Sequence, residues 1–96
     1  MKRLLYIAII AVTFSACSGD RKINKAAAGY GQADAQTLIE TAGSMTLLEL
    51  EGYILGVKAT EYDYRESGHE KAADLYIEGF EKHIRENSDS LANIIF

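Results

Sequence analysis

Residues 70–87 sort into two faces on a helical wheel. Ala72, Ala73, Tyr76, Ile77, Phe80, His83 and Ile84 fall on one side, and Glu70, Lys71, Asp74, Glu78, Glu81, Lys82 and Arg85 fall on the other. That pattern predicts an amphipathic helix with one side in water. Glu78–Lys82 and Glu81–Arg85 have the favourable i, i+4 order, worth ~0.2–0.5 kcal/mol each. Residues 46–66 pattern differently. Leu50, Tyr53, Val57 and Tyr64 make one apolar stripe, and Leu48, Leu55, Ala59 and Tyr62 make a second, roughly opposite. A helix with two apolar sides needs two neighbours. The 70–87 helix can cover one stripe as an antiparallel hairpin. The other must meet a short helix at 35–42, the segment Leu91-Ile94-Ile95-Phe96, or another molecule.

Capping residues mark the boundaries. Thr46 with Glu49 three residues on is a capping-box pair and opens the 46–66 helix. Ser67 with Glu70 repeats the pattern, so Ser67-Gly68 is the expected break between the two long helices. Asp34 is a plausible N-cap for the 35–42 helix, with Gly43 just past its end. Ser88-Asp89-Ser90 interrupts the last helix, after which residues 91–96 add one more turn or fray. There is no proline and no alternating strand pattern. The expected fold is all-α: a small helical hairpin with a short flanking helix, over residues 34–96.

The first 33 residues stand apart. Two basic residues, Lys2 and Arg3, precede an uncharged apolar run to Cys17. The run falls short of the ~20 residues a spanning helix needs. A basic start, a short apolar run and small residues at its end predict a secretory signal peptide over residues 1–16. Residues 18–32, SGDRKINKAAAGYGQ, mix small, polar and basic side chains with few large apolar groups. This composition predicts a flexible tether. Gly29-Tyr30-Gly31 within it lacks the preceding strand and the further glycine or lysine of a phosphate loop.

The tetrapeptide Phe14-Ser15-Ala16-Cys17 resembles the lipobox of bacterial lipoproteins, with Phe14 where leucine is usual. The resemblance implies that Phe14, Ser15 and Ala16 are read by signal peptidase II. Cys17 would then become the acylated first residue of the mature chain. Two or three acyl chains of the palmitate kind anchor a domain stably, at ~0.8 kcal/mol per buried CH₂, where one chain holds only marginally. Ser18 after the cysteine implies, under that family's sorting rules, transport to the outer membrane of the cell envelope. Cys17 is the sole cysteine of the chain, so no disulfide partner competes for its thiol.

Charge narrows the partners. Cleavage before Cys17 leaves eight basic residues against fourteen acidic ones, a net charge of −6. Such a chain is unsuited to nucleic acid, whose phosphates demand clustered Lys and Arg. The candidate chemistry is thin. Glu66-x-x-His69 has di-iron spacing, but only one copy exists and it straddles the expected turn. Asp63 and Glu66 share a helix side without the loop of a calcium site. His83 sits mid-face among apolar neighbours, as a core or edge histidine would. No nucleophile, metal or cofactor site is assigned.

About 80 residues remain after cleavage, near the lower limit for a core without disulfides or metal. The expected role is therefore a membrane-anchored, non-catalytic interaction or structural module. Leu48, Leu55 and Tyr62 would form the docking surface, for a protein partner or a second copy. An accessory subunit or inhibitor of another envelope protein is one alternative. A small ligand-binding protein or enzyme using His83 is the other.

Overall fold

The computed structural model describes residues 19–96, which form an all-α fold of four helices. Helix α1 spans Gly19–Thr41 and leads through a 3-10 turn, Ala42–Ser44, into α2, Leu47–Glu66. Helix α3 spans Glu70–Asn87, and a short α4 spans Asp89–Ile95. The expected signal peptide and Cys17 lie outside the described residues.

The length of α1 overturns the flexible tether expected over residues 18–32. From Gly19 onward that stretch is helical, and Ile23 and Ala27 are buried in the core. The physical reason is a stripe that composition conceals. Ile23, Ala27, Gly31, Ala35 and Leu38 recur every three or four residues, so one face of α1 is narrow rather than oily. Small side chains let the neighbouring backbone come close, and dispersion contacts replace bulk.

That neighbour is α3. A Cβ at Gly31 would run into the Tyr76 carbonyl oxygen, and one at Gly79 would sit 2.8 Å from the Ala28 carbonyl oxygen. The two helices run the same way: Ala28 meets Gly79 and, further along both, Gln36 meets His83. Ala72, Ala73, Tyr76, Phe80 and Ile84 are the buried side of α3, all of them on the apolar face read from the wheel.

Asp34 does not cap a helix. It lies in the interior of α1, 5 % exposed, and its carboxylate accepts from the Tyr76 hydroxyl. The Thr46–Glu49 capping box forms in full, with Thr46 Oγ1 accepting from Glu49 N–H and Glu49 Oε1 accepting from Thr46 N–H. The Ser67–Glu70 box does not form. Instead α2 closes in a Schellman turn, with His69 N–H donating to the Tyr64 carbonyl and Gly68 N–H to that of Arg65. Gly68 holds φ at 83°, the left-handed conformation this turn requires. The Ser67 hydroxyl turns back to the Asp63 carbonyl.

Helix α2 lies against the α1–α3 pair along one side. Val57, Thr60 and Tyr64 are buried, and Leu50, Tyr53 and Ile54 pack on the core from its edge. Arg65 pins the α2–α3 hairpin, reaching Glu61 at 2.7 Å and Asp74 at 2.8 Å. Helix α4 closes the open end with Leu91 and Ala92 buried, and Phe96 beyond it lies under the Arg85 guanidinium at 4.8 Å.

Candidate interaction surface

The outward side of α2 carries the predicted docking residues. Leu48 is 77 % exposed, Leu55 64 % and Tyr62 61 %. Neither α1 nor α4 covers them, so neither of the two covers expected from within the chain is used among the described residues. Gly52 and Ala59 are exposed between them, which sets Leu48, Gly52, Leu55, Ala59 and Tyr62 at the alternating four-and-three spacing of a coiled-coil seam. On a 100° wheel Leu55 points almost directly away from the buried Tyr64.

Gly52 and Gly56, about one turn apart on α2, are equally open. No other part of the described chain lies within 4 Å of a Cβ at either position. Close approach occurs at Gly31 and Gly79 instead, on the other helix pair.

The apolar surface widens beside this seam. Leu47, Leu50, Ile54 and Leu55 of α2 face Ile94 and Ile95 of α4 across an open groove of about 440 Å³, with Glu51 and Lys58 on its lining. Leu47 at 77 % and Ile94 at 62 % exposure stand at its edge. Scattered exposed leucines are ordinary on a protein surface, whereas these form one contiguous apolar strip along a single helix. The strip is flanked by charge on both sides, with Glu51 and Lys58 along one flank and Glu49 and Asp63 along the other.

Neither histidine lies on α2. His83 is half-buried, with Nε2 2.8 Å from Gln36 Oε1, so it ties α3 to α1. Asn87 Nδ2 donates to the His83 carbonyl at 2.9 Å and lies 3.5 Å from Nδ1. The tautomer with its proton on Nε2 satisfies both ring nitrogens. His69 precedes α3 at the turn, and Glu66 is exposed on the last turn of α2. Among the described residues, no three His, Cys, Asp or Glu side chains converge as a metal site would require.

A polar cluster that the sequence reading missed lies in the core. The Tyr76 hydroxyl donates to Asp34 Oδ2 at 2.5 Å, and the Tyr53 hydroxyl donates to the Asp34 carbonyl at 2.7 Å. Three helices thus meet at one residue of α1. Tyr64 packs beside Tyr76 with the rings tilted by 46° and their centroids 6.0 Å apart. Burial, and then the bond to Asp34, push the Tyr76 hydroxyl far above the ordinary tyrosine value. Burial pushes Tyr64 up to about 12, with Tyr30 and Asp34 adding to it. The cluster has the chemistry of a clasp: its donors are aimed at backbone and carboxylate oxygens of the same chain. The four-residue period of small side chains in α1 was the available signal that Asp34 lies inside a helix.

No described helix is long and apolar enough to cross a membrane. No protein-family model, curated protein or solved structure matches the chain.

Proposed function

We propose that this chain is a small lipoprotein of the bacterial envelope, anchored through acylated Cys17, that acts as a non-catalytic protein-interaction module. The observation that carries the module is the exposure of Leu48, Leu55 and Tyr62 on the side of α2 turned away from the core. Leaving that much apolar side chain in water is unfavourable, at ~25 cal/mol per Å², and a partner removes the penalty. His83 has both ring nitrogens engaged by Gln36 and Asn87, which favours packing over catalysis.

The anchor rests on residues 14–17 and on the charge balance, since a net charge of −6 opposes binding to anionic lipid by charge alone. With α1 starting at Gly19, little chain separates the proposed lipid from the folded helix. The module would therefore sit against the membrane rather than far from it. Intact mass of the chain expressed with its native leader in a bacterial host, beside Cys17→Ala, tests the anchor. A mature chain starting at Cys17 with added acyl mass, lost in the variant, is expected. An unacylated Cys17 would remove the membrane from the proposal.

A further inference from the structure

We infer that the occupant of the α2 seam is a second copy of this chain, packed antiparallel across a twofold axis near residues 53 and 54. The inference rests on the module reading and narrows its partner. The seam alternates large and small: Leu48, Gly52, Leu55, Ala59. Run antiparallel against itself in one register, it sets Leu55 over Gly52 of the second copy and Leu48 over Ala59. Each leucine then enters a place with little or no side chain, and the twofold axis repeats every contact. Run parallel, the same seam stacks Gly52 on Gly52 and Leu55 on Leu55, alternating voids with crowding.

Charge selects the same register. In the antiparallel arrangement the flanking residues facing one another are Glu51 of one copy and Lys58 of the other, twice per dimer. Both are exposed on the flank of the seam, and neither enters an ion pair among the described residues. Arg65, the third residue on that flank, is already held by Glu61 and Asp74 within its own chain. On the opposite flank Glu49 faces Gly56, so no like charges are brought together. A pair built this way places the two Gly19 ends at opposite ends of the dimer. On one membrane, both bundles would therefore lie along the surface.

Zero-length carbodiimide coupling of the full chain, as an equal mixture of ¹⁴N- and ¹⁵N-labelled protein in mild detergent, tests this. The expected product is a covalent dimer whose mixed-isotope cross-link joins Glu51 to Lys58. Glu51→Lys and Lys58→Glu should each abolish it, and the doubly exchanged chain should restore it, with unchanged circular dichroism throughout. A monomer at every concentration overturns the inference, as does a Lys58–Asp63 link, the mark of parallel packing. If residue 55 cross-links in cells to a different protein while no dimer forms, the second copy is excluded and the module reading stands. If neither is seen, both fail.

Discussion

The Tyr76 hydroxyl and the Asp34 carboxylate meet 2.5 Å apart in the core, across 42 positions of sequence. The bond joins the two helices that form the body of the fold, and Tyr53 brings the third to the same residue through the Asp34 carbonyl. A buried charge-assisted bond contributes ~1.5–3 kcal/mol and is costly to break from one side. Tyr76→Phe should lower stability by about 1–3 kcal/mol while leaving the helical signal unchanged below the transition. Chemical denaturation measures both. A loss under ~0.5 kcal/mol would mean the clasp is incidental.

Alkaline pH should weaken the same cluster. The folded protein holds the Tyr64 and Tyr76 protons above the ordinary value of 10.0, Tyr64 to about 12. The unfolded chain releases them near pH 10. Their contribution is thus fully present below pH 10 and is lost as pH rises from there through the folded values. Each tyrosine gives a slope of ~1.4 kcal/mol per pH unit in that window. Stability measured from pH 8 to 12 should be flat at first and fall beyond 10. Tyr64→Phe should make the fall shallower.

The glycines should separate by position. Gly31→Ala and Gly79→Ala push a methyl group into the carbonyls of Tyr76 and Ala28, and overpacking of this kind costs ~1–3 kcal/mol or more. Gly56→Ala meets nothing and gains up to ~1 kcal/mol of helix propensity. Thermal melts of the three variants check the order. Equal effects at Gly31 and Gly56 would refute the close α1–α3 contact.

The leucines should separate as well. Leu38 is fully buried, so Leu38→Ala should cost ~2–5 kcal/mol. Leu48→Ser and Leu55→Ser, on the outer side of α2, should stay within ~0.5 kcal/mol in the monomeric state. Denaturation at low protein concentration compares them.

How much of this was legible follows from what each helix uses to pack. Helix α3 packs with large side chains on one face, so its limits and its buried residues were readable from periodicity. The same holds for the two stripes of α2 and its Thr46–Glu49 cap. Helix α1 packs with Ala35 and, before it, with Ala27 and Gly31, two residues that composition alone assigns to a linker. Its stability comes from nearness to α3, at which the four-residue period of small side chains was the single local hint. Asp34 was misread for the same reason: beside a presumed tether it looked like a cap, whereas Tyr76 satisfies it inside the core. At the turn, Ser67 and Glu70 had capping-box spacing, but Gly68 offered the left-handed conformation and the Schellman turn won. On the surface, Leu48, Leu55 and Tyr62 were legible as a stripe. That nothing in residues 19–96 covers them became visible only with the helices in place.

The most direct measurement is site-specific photo-cross-linking in cells, with the probe at position 55 of the full chain and a control probe at Lys71, exposed on α3. The account predicts a discrete protein adduct from position 55, weakened at least tenfold by Leu48→Asp, and none from position 71. Equal labelling from both positions, or no adduct from either, would contradict it.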